Sequence, residues 1–153
     1  MLRDMKASDR GVVAGWARKL AAEKYPFLRP DVEKINAVLQ EAQLSNRHYA
    51  RVRVDAQDVA GAVLIGATSE IFWAQRKHCA VVLWYSQLPG AGAELLRDFR
   101  QWVLDQRPIR AAGLQIDCEV DPRALKLADR IGFKQRGGAY LLYTREVAHG
   151  FPV

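Results

Sequence analysis

Apolar residues recur at helical spacing from Ala7 to Lys24, through Val12, Val13, Trp16, Ala17, Leu20 and Ala21, with Ser8 or Asp9 offering a cap. Tyr25-Pro26-Phe27 and Pro30 break that helix. Pro30 suits the first turn of a second one, whose buried face would be Val32, Ile35, Leu39 and Ala42. After Ser45-Asn46 the period changes to two. Ala50, Val52 and Val54 then share one face, with Arg47, Tyr49, Arg51 and Arg53 on the other. Asp55-Ala56-Gln57-Asp58 turns into the apolar run Val59 to Ile65, which predicts a hairpin. From Ala67 to His78 neither period holds, and the stretch reads as loop or irregular strand.

The second half is more sharply patterned. Cys79 to Tyr85 is continuously apolar, as in a strand buried on both faces. Ser86 to Gly92 forms a turn. An amphipathic helix follows, with Leu95, Leu96, Phe99, Trp102 and Val103 on one face and Glu94, Arg97, Asp98 and Arg100 largely opposite. Pro108 ends it. Leu114 to Val120 alternates and predicts the next strand. Asp121 then caps a short helix with Pro122 in its first turn, Ala124, Leu127, Ala128 and Ile131 on one stripe, and Gly132 as its stop. Phe133-Lys134 and Ala139 to Thr144 supply two last strands around Gly137-Gly138, and Met1 to Met5 allows a short first one. Hairpins mixed with strand–helix–strand units predict an α/β domain with a mixed sheet.

The chain has 153 residues and no repeat or linker-like shift, so residues 1–153 read as a single domain. No apolar run approaches the length of a membrane span, and the first residues do not continue into the apolar stretch of a signal peptide. The expectation is a cytoplasmic protein without a membrane partner. Lys and Arg number 23 against 17 Asp and Glu, a net charge of +6, which favours anionic partners, whether nucleic acid, phosphorylated cofactors or acidic protein surfaces, with plain solvation of the surface as the alternative. The basic residues are scattered, and Arg47, Arg51 and Arg53 line a hairpin strand instead of a recognition helix, which argues against nucleic acid. Cys79 and Cys118 form no CxxC pair, and His48, His78 and His149 stand apart, so neither a disulfide framework nor a metal site is expected.

The richest chemistry lies in Gln87-Leu88-Pro89-Gly90-Ala91-Gly92, between a strand and a helix. A helix N-terminus carries unpaired N–H groups and partial positive charge, and glycines let a ligand approach the backbone. A turn that needs glycine only for its dihedrals is the plain alternative. A Walker A loop would need Lys followed by Ser or Thr, and a dinucleotide fingerprint would need a third glycine; neither is present. The pattern Q/R-x-x-G-x-G/A, which binds the pyrophosphate of coenzyme A, fits at every fixed position. Downstream, Asp121-Pro122-Arg123-Ala124-Leu125-Lys126-Leu127-Ala128-Asp129-Arg130-Ile131-Gly132-Phe133 is similar to N-x-x-A-x-x-L-Y-x-x-x-G-F, with Asp121 where Asn is usual. On these motifs and the element order, the chain resembles the GNAT N-acetyltransferase superfamily. In general look, including Gly137-Gly138-Ala139-Tyr140, it resembles small members encoded by tailed phages and prophages.

The resemblance implies a single GNAT-like α/β domain, a mixed and mostly antiparallel sheet with helices on both faces, and an acetyl-CoA-dependent N-acetyltransferase acting by direct attack of a primary amine. It implies that Leu83, Trp84 and Tyr85 pair with the pantetheine arm. It also implies that the backbone from Leu88 through Pro89, Gly90, Ala91 and Gly92 to Ala93 cradles the pyrophosphate, with Gln87 adding a side chain and Asp121 and Ala124 completing the cofactor set. Two departures stand out: Ala128 replaces a family tyrosine proposed as general acid, and Trp84-Tyr85-Ser86 replaces a Val-x-P stretch. Alternation places Gln115, Asp117 and Glu119 on one strand face, making Glu119 the first candidate base and Asp117 the second, with salt bridges to nearby arginines as the alternative role. Tyr85 and Tyr140 are the candidate donors, unless both are core residues with tethered hydroxyls. Cys118 reads as an inert core thiol. Glu23, Tyr25 and Phe27, between the first two helices, would meet the acceptor, a small-molecule or protein amine; surface loop and core are the alternative. Ile71-Phe72-Trp73 reads as core, with a homodimer contact as the alternative. The competing functional readings are a catalytically degenerate GNAT domain that binds coenzyme A, protein or nucleic acid, and a nucleic-acid-binding module unrelated to that family.

Overall fold

The computed structural model describes residues 1–115 and 122–136. Among them run β1 (Leu2–Asp4), α1 (Arg10–Lys24), α2 (Val32–Leu44), β2 (Tyr49–Val54), β3 (Ala60–Glu70), β4 (Lys77–Ser86), α3 (Ala91–Asp105), β5 (Ile109–Gly113) and α4 (Pro122–Ile131). The strands lie in chain order across one sheet. The first four are antiparallel, and β5 joins β4 in parallel through α3. This is the mixed, mostly antiparallel sheet expected, with helices on both faces.

The pleat of β3 sorts the two cores. Val63 and Ile65 face α1 and α2, where they meet Val13, Trp16, Leu39, Val52 and Leu83. Ala62 and Leu64 face the opposite layer, with Tyr49, Cys79, Leu95, Leu96, Phe99 and Ile131. A strand buried on both faces reads as the continuous apolar run that the sequence displays. No helix among the described residues is long and apolar enough to cross a membrane.

Several boundaries differ from expectation. The helix expected from Ala7 begins instead with a 3-10 turn at Ala7–Asp9, and α1 proper starts at Arg10. Val12 and Val32, expected on buried faces, are exposed. Pro30 does not open α2; Asp31 does, its carboxylate accepting the Lys34 N–H at 3.0 Å. A cap needs a side-chain acceptor, which proline lacks. The stretch from Ala67 to His78 is the far half of a long hairpin. Thr68 pairs with Cys79, Ser69 with His78 and Glu70 with Lys77, so cross-strand bonding fixes a strand that side-chain alternation does not mark. β4 is less buried than its apolar run implies, because Val82 is exposed. β5 starts at Ile109, five residues before the run that predicted it, and Leu114 and Gln115 lie beyond its end. Phe133 and Lys134 lie in no strand. The remaining strand residues expected at 116–120 and 139–144 lie outside the described residues, as does Cys118.

Asp9 has a different role from a helix cap. Its carboxylate accepts the Lys6 N–H at 2.7 Å and both terminal nitrogens of the Arg3 guanidinium at 2.7 and 3.0 Å. Burial alone would raise its pKa, but Arg3 and the Lys6 N–H outweigh that and hold the carboxyl below the usual carboxylate range. A group whose pKa is depressed in the folded state stabilises the fold above its unfolded pKa and loses that contribution as pH falls through the folded value. Asp9→Asn is therefore expected to lower the melting temperature near neutral pH, with the gap to wild type closing as pH falls below the usual carboxylate range. Thermal melts over that range check it.

Candidate active site at the end of strand β4

β4 and β5 run together only at first. Lys77, His78, Cys79 and Ala80 pair with Ile109, Ala111, Ala112 and Gly113. Beyond Ala80 and Gly113 the pairing stops, yet β4 continues to Ser86. Among the described residues, positions 81–86 therefore have no strand partner on that side. The other edge of β4 remains paired to β3, but with a slip: Ile65 faces Leu83 and Gly66 faces Val81, leaving Val82 as an extra residue. Such a bulge bends a strand and re-aims its side chains. Past it, Trp84 packs toward α3 while Leu83 and Tyr85 pack toward α1. The diverging edge offers backbone N–H and C=O groups to an extended ligand, as an added strand would use them.

The glycine turn closes the end of this edge. The Ser86 hydroxyl accepts the Leu88 N–H at 3.2 Å and donates to the Leu88 carbonyl at 2.8 Å. The Gln87 N–H donates to the Gly61 carbonyl at 2.8 Å, which ties the turn to β3. Gly61 leaves room for the Leu88 side chain, since a Cβ there would lie 2.5 Å from Leu88 Cδ1 and make that side chain shift. Gly90, at φ +75°, supplies the left-handed residue that starts α3. Trp84 Nε1 donates to the Gly92 carbonyl at 3.1 Å and anchors the first turn of α3 to β4. In that turn the Ala91 N–H bonds to Leu88 and the Glu94 N–H to Gly90, while those of Gly90, Gly92 and Ala93 donate to no carbonyl among the described residues. A Cβ on Gly90 would project into open space. The result is an open, glycine-lined helix N-terminus with free N–H donors, suited to a phosphate group.

The sheet beneath α3 is charge-balanced. Arg53 pairs with Glu94 at 2.8 Å, offsetting an acid in the helix's first turn. Arg51 pairs with Asp98 and Asp4, both at 3.1 Å. The Tyr49 hydroxyl donates to Asp98 at 2.6 Å; burial first, and then that carboxylate, push the Tyr49 pKa up. Asp98, expected opposite the buried face of α3, instead bridges helix and sheet. Arg51 and Arg53 are thereby engaged with carboxylates.

On the other side of β4, the Tyr85 ring lies 5.2 Å from that of Trp16. Lys19 Nζ donates to its hydroxyl at 3.2 Å. Lys19 and then Gln87 draw the Tyr85 pKa down, and Glu23 opposes them. Tyr85 and Glu23, two of the expected site residues, thus belong to one electrostatic cluster. Tyr25 and Phe27 pair edge to face at 6.1 Å. Lys19→Met should return the Tyr85 phenol toward its ordinary pKa, read by NMR titration of a labelled ring; an unmoved titration would mean that Lys19 does not hold the hydroxyl.

Of the other expected residues, Leu83 is buried and points toward α1, and Ala124 is buried in α4. Asp117, Glu119, Asp121 and Tyr140 lie outside the described residues. Sequence reasoning missed Gly61, Ser86 and Lys19. The serine two positions before Leu88 was the one readable signal, since Ser commonly bonds its own backbone neighbours in turns.

No protein-family model matches the sequence, and no curated protein matches it. Solved structures do. A protein from Clostridium difficile 630, named a possible acetyltransferase, is 16% identical, with 97% of this chain and 98% of that one covered at a TM-score of 0.69. Another, named a probable acetyltransferase, is 12% identical, with 95% and 99% covered at a TM-score of 0.72. An aminoglycoside acetyltransferase from an uncultured soil metagenomic sample, solved with sisomicin, is 19% identical, with 95% and 96% covered at a TM-score of 0.67. Over nearly its whole length the chain has the fold of these acetyltransferases, the GNAT-like fold that its motifs resemble.

Proposed function

We propose that the chain is an acetyl-CoA-dependent N-acetyltransferase of the cytoplasm, acting on a primary amine by direct attack. The observation that carries this reading is a juxtaposition: β4 leaves β5 at Ala80 and Gly113, and the freed edge leads straight into a glycine turn whose N–H donors are unspent. The named acetyltransferases of the same fold support it.

Acetyl-CoA, when bound, supplies the acyl thioester. The backbone of Leu83, Trp84 and Tyr85 would hold its pantetheine arm. The N–H groups of Gly90, Gly92 and Ala93, with Gln87, would hold the pyrophosphate. The protein's further tasks are to orient the amine, take its proton and supply a hydrogen-bond donor where negative charge develops. Glu119 is the proposed base and Asp117 its alternate. Tyr85, with its lowered pKa, is the proposed proton donor on β4, ahead of Tyr140. Glu23, Tyr25 and Phe27 form the proposed acceptor side, where a carboxylate and two rings suit a cationic amine.

A second reading rests on Ala128, which leaves the family's usual tyrosine position without a hydroxyl: a domain that binds coenzyme A without turnover. Incubation with acetyl-CoA and a panel of polyamines, aminoglycosides and lysine peptides separates the two. Thiol release with a product 42 Da heavier, about the mass of an added acetyl group, is the expected result. Binding without turnover across the panel would favour the second reading.

A further inference from the structure

The hairpin between β3 and β4 carries two large rings out into solvent. Phe72 is 90% exposed and Trp73 77%, although Ile71-Phe72-Trp73 was expected to be core. They occupy a turn closed by the Ile71 N–H to the Arg76 carbonyl at 3.0 Å and the Ala74 N–H to the Ile71 carbonyl at 3.1 Å. The rings stand edge to face, with centroids 4.7 Å apart. This apex lies at the start of β4, the opposite end from the glycine turn.

Cations lie along the same end of the sheet. Arg76 closes the turn, three residues after Trp73, and Lys77 opens β4. Lys77 donates its N–H to Pro108 and pairs with Ile109, which brings in Arg107 and Arg110 on either side. Arg47 and Lys77 line a small hollow of about 200 Å³ with Asn46 and Gln106. None of these five cations is in an ion pair among the described residues, unlike Arg3, Arg51 and Arg53. Glu41, already engaged by His48, Glu70 and Asp105 carry the opposing charge, so the excess is positive.

We propose that this pole is a peripheral membrane contact: Phe72 and Trp73 insert at the surface of a bilayer while Arg76, Lys77 and their neighbours hold its anionic headgroups. Rings beside Lys and Arg are the usual makeup of interfacial anchors. The expectation of no membrane partner considered only spanning segments, and an anchor of this kind needs none. A second copy of the chain fits less well. Two aromatic side chains cover about 300–500 Å², against roughly 800 Å² per partner in a stable interface. Single-stranded nucleic acid fits less well too. Stacking platforms present ring faces along a basic groove, whereas these rings pack against each other at an apex.

Vesicle co-sedimentation tests the proposal, using phosphatidylcholine alone and phosphatidylcholine with phosphatidylserine. The protein should bind the anionic vesicles, with a blue shift in tryptophan emission, and not the neutral ones. The Phe72→Ser, Trp73→Ser variant should keep its melting temperature and lose binding roughly tenfold or more. Arg76→Gln and Lys77→Gln should weaken binding by about fivefold each. Absence of binding to anionic vesicles would overturn the proposal, as would undiminished binding by the ring variant. Ring-dependent self-association or ring-dependent binding of single-stranded RNA, without vesicle binding, would overturn it in favour of those partners.

Discussion

Phe99→Ala is expected to destabilise the fold by about 3–5 kcal/mol, the range for deleting a large buried ring, and to lower the melting temperature by roughly 6–20 °C. Phe99 is fully buried at the centre of the layer under α3. Its ring lies 5.2 Å from Tyr49 and stacks with Trp102 at 6.4 Å. It also sets how closely α3 approaches the sheet: a Cβ on Gly66 would lie 2.7 Å from Phe99 Cε2 and 2.9 Å from Cys79 Sγ. Gly66→Ala should therefore destabilise the wild type but cost less in the Phe99→Ala background, where the vacated volume accepts the methyl. A double-mutant cycle reads that coupling. Equal costs in both backgrounds would mean that the ring does not set the helix position. The proposed function depends on this packing, since the depth of α3 fixes where its N-terminal N–H groups stand relative to β4.

Glu119→Gln is expected to lower kcat by roughly 10²–10⁴-fold near neutral pH, the usual worth of a positioned base. The KM for acetyl-CoA should change little, because the residue is assigned to the amine and not to the glycine turn. With the base removed, the rate should climb with pH toward the pKa of the acceptor amine. Asp117→Asn should cost less; a larger loss there would exchange the two roles. A Glu119→Gln enzyme with undiminished kcat and an unchanged pH profile would remove the carboxylate from the proton path.

Much of this fold is legible in the sequence where one element decides its own fate. The stripe of Leu95, Leu96 and Phe99 predicts α3, Gly90 predicts its start, and Gly132, at φ +109°, predicts the end of α4. What escaped depends on partners distant in sequence. β5 is Ile-Arg-Ala-Ala-Gly, with little strand character of its own, and exists because β4 pairs with it. The outer half of the β3–β4 hairpin is likewise held by cross-strand bonds between residues of mixed polarity. Arg51 and Arg53 look like a solvent face until Asp98 and Glu94, more than forty positions away, close over them. At the site, the glycine turn could be read from spacing alone. The tie from Gln87 to Gly61 and the hold of Lys19 on Tyr85 could not, because each joins two elements.

The central claim is that the turn from Gln87 to Ala93 receives acetyl-CoA, and thermal unfolding with and without that ligand tests it most directly. Ligand at ~100 times its dissociation constant adds ~2.7 kcal/mol, a rise in melting temperature of roughly 5–10 °C for a chain of this size. Ala93→Glu is the matched variant. An acid in the first turn is favourable to the helix by about 0.3–1 kcal/mol, yet it would repel a pyrophosphate at the same N–H groups. The account predicts a rise in the wild type with acetyl-CoA but not with ATP or NAD, and a rise mostly abolished in a variant that folds as well as the wild type. No rise at saturating acetyl-CoA, or an equal rise in Ala93→Glu, would contradict it.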